Sequence, residues 1–273
     1  MGQKEKAEVF RNLHRGPDIL VLPNAWDAIS ARIIAAEGFP AAATGSAGIA
    51  AVLGYPDGQR IPRSEMMFMT ARMAAAVSVP LTADVEAGYG DPAATAREVI
   101  AAGAAGMNFE DMVNHQLVPL SEQLERIRAV KAAARESGIP LVLNARTDIF
   151  LAHHGDESTR FDRAVERLNA FHEAGADCLF APGVTDAATI ERLVKGVKGP
   201  LNVLAGTGTP SVPELQRLGV RRPSLGSGTQ RIALGAAQRF ARHLRDQGTL
   251  TALATDAVPY AEVQRLLSEQ AVG

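Results

Sequence analysis

Two carboxylates, Asp84 and Glu86, stand at the end of the short apolar run Leu81-Thr82-Ala83-Asp84-Val85-Glu86, and a glycine-rich turn, Ala87-Gly88-Tyr89-Gly90, follows. On a strand, residues i and i+2 face the same side. The spacing therefore aims both acids one way, where the chain leaves its sheet. Like charges so placed repel unless a proton or cation lies between them. Hard oxygen donors suit Mg2+ or a similar ion such as Mn2+. The competing reading is a strand end with two solvated acids, and this segment alone does not separate the two.

The elements that must position these acids repeat along the chain. Short apolar runs at 19–22, 41–44, 81–85, 106–110, 141–145, 178–181, 201–204 and 222–225 alternate with amphipathic stretches at 26–37, 64–77, 92–102, 120–136, 160–174, 187–195, 213–218 and 230–245. Repeated βα units imply a parallel sheet. Eight of them in one chain of this length predict an α/β fold of the closed (β/α)8 type. Gly38, Gly138 and Gly199, each followed closely by Pro40, Pro140 or Pro200, mark helix ends. The expected organisation is one barrel domain over 1–273, with 246–273 a C-terminal helical extension. That extension carries apolar positions at Val258, Val263, Leu266 and Leu267.

In such a barrel the active site forms at the C-terminal ends of the strands. The polar residues expected there are Asn24, Thr44, Ser46, Asp84, Glu86, Glu110, Asp111, Asn144, Arg146, Asn202, Ser224 and Ser227. Asp84, Glu86 and Glu110 can hold a divalent ion, directly or through its waters. Arg146 can grip a substrate carboxylate through two parallel hydrogen bonds or stabilise charge developing on an oxygen. Its alternative role is an internal ion pair with Glu110 or Asp84. The turn Thr44-Gly45-Ser46-Ala47-Gly48 offers backbone N–H groups to a substrate oxygen, or is simply a βα turn. Asp57, in Gly54-Tyr55-Pro56-Asp57-Gly58, reads from the residues alone as an ordinary turn.

Composition narrows the classes. The net charge of −2 and 5% aromatic content give neither the basic field nor the stacking surface that a nucleic-acid partner needs. A single cysteine, Cys178, excludes an intramolecular disulfide and fits a reducing cytoplasm. Met1 to Arg15 has no apolar signal core, and the alanine-rich runs are broken well short of a membrane span.

Taken together, Leu22-Pro23-Asn24-Ala25-Trp26-Asp27, Thr44–Gly48, Gly54–Asp57, Asp84–Gly90, Gly106-Met107-Asn108-Phe109-Glu110-Asp111 and Asn144-Ala145-Arg146-Thr147-Asp148 resemble the isocitrate lyase/phosphoenolpyruvate mutase superfamily over roughly residues 8–245. The resemblance implies a modified barrel, often with its last helix swapped between subunits, in homodimers or homotetramers. It also implies Mg2+-dependent making or breaking of C–C or P–C bonds beside a 2-oxo-acid, through an enolate. By position, Asp57, Asp84, Glu86 and Glu110 correspond to the acidic metal shell. Ser46 and Ala47, with Gly48 beside them, correspond to the carboxylate-binding turn, and Arg146 to the substrate-oxygen arginine. Asp84 and Asn202 are further candidates for substrate contact, and Asp57 and Arg146 are candidates for catalysis.

The chain departs from the family pattern in its lid, Asp111–Leu120, which lacks both the cysteine of the lyase branch and the lysine of the mutase branch. His115 is the one titratable candidate there for moving a proton; otherwise it is a solvated loop histidine. The expected activity is carbon–carbon cleavage of a small 2-oxo-dicarboxylic acid, with decarboxylation the simplest form. Alternatives are a phosphonopyruvate- or phosphoenolpyruvate-type P–C bond enzyme and a 2-oxo-acid-binding protein without turnover. The loops 205–210 and 226–229 also leave open an isomerase or aldolase acting on a phosphorylated substrate.

Overall fold

The computed structural model describes residues 1–268. Positions 269–273, the end of the expected extension, lie outside the described residues. Eight parallel strands follow one another around a barrel: β1 Asn24–Ala25, β2 Ala42–Thr44, β3 Leu81–Asp84, β4 Gly106–Glu110, β5 Val142–Arg146, β6 Cys178–Phe180, β7 Leu201–Leu204 and β8 Arg222–Ser224. The run at 19–22, expected as the first strand, closes the ring instead. Leu20 and Leu22 donate to the carbonyls of Arg221 and Pro223 at 2.9 Å, and Leu22 bridges Ser224. The chain then steps on to pair Asn24–Ala25 with β2.

The strands are buried on both faces, as parallel strands under a helical coat must be. The helices that coat the barrel turn a buried stripe inward. On Leu120–Glu136 the buried positions Gln123, Ile127, Val130, Ala133 and Ala134 fall at helical spacing. Ile127 and Val130 are fully buried, each contributing roughly 1.5–3 kcal/mol of transfer free energy.

Three elements lie outside the sequence expectation. Helix Gln3–Leu13 seals the N-terminal end of the barrel, with Ala7 and Phe10 fully buried. The Phe10 ring lies so close to Gly106 that a Cβ there would meet it at 2.8 Å. Helix Ser46–Val52 follows β2, where a plain turn was one of the readings. Finally, the lid segment folds as a hairpin, Met112–Val113 against Gln116–Leu117. Its two-residue turn puts Asn114 and His115 at φ 48° and 61°, the backbone of a type I′ turn, whose twist matches that of the strands.

After β8 come helices Gly228–Gln247, Thr251–Thr255 and Tyr260–Ser268. The last returns to helix Ala28–Ala36, burying Leu266, whose carbonyl accepts from Arg32 Nη1 at 2.6 Å. Gly228–Gln247 by contrast buries only Gln230 and exposes Ile232, Leu234 and Leu244. Among the described residues no helix is long and apolar enough to cross a membrane.

Candidate active site

Asp84 ends β3 and is held from three directions. Its N–H donates to Thr44 Oγ1 at 2.8 Å, while its Oδ2 accepts from the Ser46 N–H at 3.0 Å and the Ser46 hydroxyl at 2.9 Å. Its Oδ1 is buried without a hydrogen-bond partner. Ser46, expected to meet substrate, thus spends its donors on Asp84. Ala47 is half-buried behind it. Gly48 is a packing position, because a Cβ there would meet Trp26 Cβ at 3.1 Å, and its carbonyl accepts from Gln230 Nε2 at 2.8 Å.

Glu86 reaches the rim by a different route from the one its spacing implied. The strand ends at Asp84, and Glu86 sits in the turn with φ 48°, so pleat alternation does not set its direction. Gly88, at φ 82°, allows the turn to pass over Phe109; a Cβ there would meet the ring at 2.9 Å. The Glu86 carboxyl is pushed up to about 7, first by burial and then by the charges of Asp84 and Asp57, with the Gln59 backbone and Arg146 opposing. The Tyr89 phenol is likewise driven upward by burial and by Glu86, Asp84 and Glu110. Its hydroxyl faces Glu86 but makes no hydrogen bond of good geometry. Asp57 itself is exposed in its loop, accepting from the Gly58 N–H at 3.0 Å. It acts on Glu86 through its charge.

Glu110 and Arg146 end β4 and β5 as register partners. Arg146 Nη1 lies 2.6 Å from Glu110 Oε1, and its Nε donates to Asp148 Oδ1 at 2.7 Å. The guanidinium carbon is 5.6 Å from the Phe180 ring centroid. The internal ion pair considered from sequence therefore exists, with Glu110 rather than Asp84. Burial drives the Glu110 carboxyl up, and Arg146 pulls it back. Burial also works against the Arg146 charge, but Glu110 and Asp148 outweigh it and hold the guanidinium charged. Asp148 belongs to the Asn144–Asp148 motif, which by itself assigns it no role. No periodicity marks it, since it follows the strand and reaches Arg146 by a turn.

Beneath the rim lies a polar layer. Asn108 Oδ1 accepts from Asn144 Nδ2 at 2.9 Å and from Arg222 Nη2 at 3.0 Å. Arg222 is fully buried, and its other donors, Nε and Nη1, have no protein partner. Burial pushes it down to about 10, against the pull of Cys178 and Asp84. Asn202, expected at the substrate, belongs to this inner layer. Its Oδ1 accepts from the Ser224 hydroxyl at 3.2 Å and its Nδ2 is unpartnered. Cys178 is a buried apolar filler; burial raises its thiol to about 12, so it is no nucleophile. His115 stands exposed at the hairpin tip.

The rim thus gathers carboxylates in excess of cations. Oxygen-only donors of this kind match a hard divalent ion, and the orphaned Asp84 Oδ1 is a donor with no other use. Yet among the described residues no three His, Cys, Asp or Glu side chains converge as a finished ligand set. An ion here would keep several of its waters, as Mg2+ commonly does.

Comparison with known proteins gives a consistent neighbourhood. The phosphoenolpyruvate phosphomutase family pattern matches residues 10–245. A Burkholderia cenocepacia J2315 crystal structure described as a lyase/mutase is 40% identical, with a TM-score of 0.89 and 96% of each chain covered. An oxaloacetate decarboxylase of Rhodopseudomonas palustris (strain ATCC BAA-98 / CGA009) is 32% identical over 213 residues, 74% of this chain and 71% of its own. The structure of an oxaloacetate acetylhydrolase with the inhibitor 3,3-difluorooxalacetate is 28% identical, with a TM-score of 0.85 and coverage of 96% and 93%.

Proposed function

We propose a function from one premise: the chain belongs to the isocitrate lyase/phosphoenolpyruvate mutase superfamily. It is an enzyme acting on a small 2-oxo-dicarboxylic acid at the C-terminal mouth of the barrel. The reaction is cleavage of a carbon–carbon bond, and oxaloacetate decarboxylation is its simplest form. The observation that carries this reading is Arg146, a half-buried guanidinium fixed by Glu110 and Asp148 at one edge of an acidic rim.

The roles divide by position. Asp84, Glu86 and Glu110 are the residues that would hold Mg2+ (Mn2+ is the alternative), in part through its waters, with Asp84 Oδ1 the unpartnered oxygen. When bound, the ion supplies Lewis acidity toward the substrate's carbonyl and carboxylate oxygens. Ser46 orients Asp84 and closes the inner wall. Arg146 faces the keto oxygen. As the bond to the departing carboxyl breaks, its electron pair moves toward that oxygen, and the fixed positive charge stabilises it without reorganising. The three-carbon enolate then takes a proton from solvent, and pyruvate and CO2 leave. Asp57 and His115 are exposed in their turns, outside the rim, and are the remaining candidates for proton delivery.

A coupled pyruvate assay with oxaloacetate, with and without Mg2+, tests the reading. Metal-dependent pyruvate release is expected; its absence with every small 2-oxo-acid would leave binding without turnover. The same reading carries assembly as a homodimer or homotetramer, supported by the exposed apolar side chains of Gly228–Gln247. Sedimentation analysis showing monomers at micromolar concentration would end that part.

A further inference from the structure

Arg167 occupies an inward position of helix Glu157–Glu173. Its neighbours on that stripe are Ala164, Leu168 and Phe171. A charged group on an apolar stripe is costly unless fully paired, so its partners are informative. Nε donates to Asp111 Oδ2 at 2.8 Å and Nη2 donates to the Val118 carbonyl at 2.8 Å. Asp111 and Val118 are the two feet of the hairpin, and the Val118 N–H closes them by donating to the Asp111 carbonyl at 2.8 Å. One guanidinium therefore clamps both ends of the segment that stands over the mouth.

The clamp continues into the site. The other oxygen of Asp111, Oδ1, accepts from the Asp148 N–H at 3.0 Å. Asp148 in turn holds Arg146 Nε at 2.7 Å, and Arg146 holds Glu110. Asp111 is fully buried and Asp148 nearly so, so the bonds these two acids make to Arg167 and to the Asp148 N–H are shielded from water, while the Arg146–Glu110 pair at the end of the series is half-buried. From this series we propose that Arg167 is a positioning residue: through Asp111 and Asp148 it sets both the seat of the hairpin and the aim of Arg146. The functional half rests on the reading of Arg146 given above; the structural half does not.

The test compares Arg167→Met, Arg167→Lys and the double variant Asp111→Asn/Arg167→Met with the parent protein. Three readouts are needed: the thermal midpoint, the water exchange of the 15N-labelled Arg146 Nε–H (assigned with Arg146→Lys), and oxaloacetate kinetics with Mg2+. Arg167→Met should speed exchange at Arg146 and at hairpin amides 112–117 by about tenfold or more. It should lower kcat by roughly 100-fold while KM stays within about threefold. Arg167→Lys, which keeps the charge but not the fork, should recover part of kcat. The double variant removes the stranded buried charge, so its thermal midpoint should rise toward the parent's while exchange stays fast and kcat stays low.

A folded double variant with parental exchange and parental kcat would overturn the proposal. So would an Arg167→Met protein that loses thermal stability alone. If Arg167→Met does not fold, the lysine and double variants carry the same comparison. If the parent turns over no 2-oxo-acid, the functional reading fails, and Arg146 exchange still decides whether the clamp sets its aim.

Discussion

The rim above β3–β5 and the rim above β7–β8 are built from opposite materials. The first is charged, buried and cross-linked, with Asp84 on Ser46 and Arg146 between Glu110 and Asp148. The second is mainly glycine, serine and threonine, with the aliphatic side chains of Leu204, Leu225 and Ile232, around an open cavity of about 670 Å³, and exposed Arg231 is its one charged lining residue. Its polar groups are used locally. Thr209 Oγ1 accepts from the Gly206 N–H at 3.0 Å and donates to its carbonyl at 2.8 Å, and Thr229 donates to the Asn24 carbonyl at 2.6 Å. The difference separates two tasks that share one mouth. On the function proposed above, preorganised charge for the chemistry sits where strands end in acids, and the small-residue loops give room and access.

The largest effects should follow from emptying the charged rim. Asp84→Ala or Glu110→Ala should cost about 10³-fold or more in kcat/KM and remove Mg2+ binding measured by calorimetry. Either variant at parental activity would show that the crowded acids are only structural. Arg146→Lys should cost roughly 10- to 100-fold, because an ammonium cannot hold Glu110 and Asp148 while facing substrate. Arg146→Lys with unchanged kcat and KM would move the electrostatic centre elsewhere.

How far the sequence reveals this rim depends on which residues one considers. The barrel was legible because each βα unit repeats its period and its stop signals. Asp84, Glu110 and Arg146 were legible because strands end where apolar runs end. Glu86 was located correctly on a wrong argument: a left-handed turn, not strand alternation, brings it in. Asp111 was placed at the strand end in the same way, though without its role; that role, and those of Asp148 and Arg167, were not legible because the bonded partners lie 37, 2 and 56 positions away and are set by packing. Helix Gln3–Leu13 was missed because it is rich in charge and buries only Ala7 and Phe10.

A pH series sharpens the contrast, since only the charged rim holds a carboxyl raised to about 7, that of Glu86. Between the ordinary glutamate value of 4.5 and about 7, the folded protein holds a proton that the unfolded chain has released. The stability this group contributes is therefore full below 4.5 and is lost as pH rises through 7. The metal-free protein should show a falling denaturant midpoint across that window, and Mg2+ affinity should rise across it as the competing proton leaves. Glu86→Gln should make both curves shallower across this window, leaving the slope owed to the raised Glu110 carboxyl; curves of unchanged slope would assign the titration to another group.

The smallest effect is expected on the open rim, and it is the one most able to break the comparison. Thr209→Ala deletes a hydroxyl that bonds only to Gly206 within its own exposed turn. Losing it should cost about 0.5–1.5 kcal/mol of local order and change kcat/KM for oxaloacetate by no more than about threefold. Ser227→Ala should behave alike, because Ser227 caps helix Gly228–Gln247 without a side-chain bond. If these loops instead grip a phosphate, as barrel loops in this position can, each substitution removes a donor to a dianion. The loss should then reach about tenfold or more, inorganic phosphate should inhibit the parent protein competitively, and the variants should resist that inhibition. Steady-state assays with and without phosphate tell the two cases apart, and the second outcome would move substrate anchoring to the rim whose cavity has the exposed Arg231 as its charged lining residue.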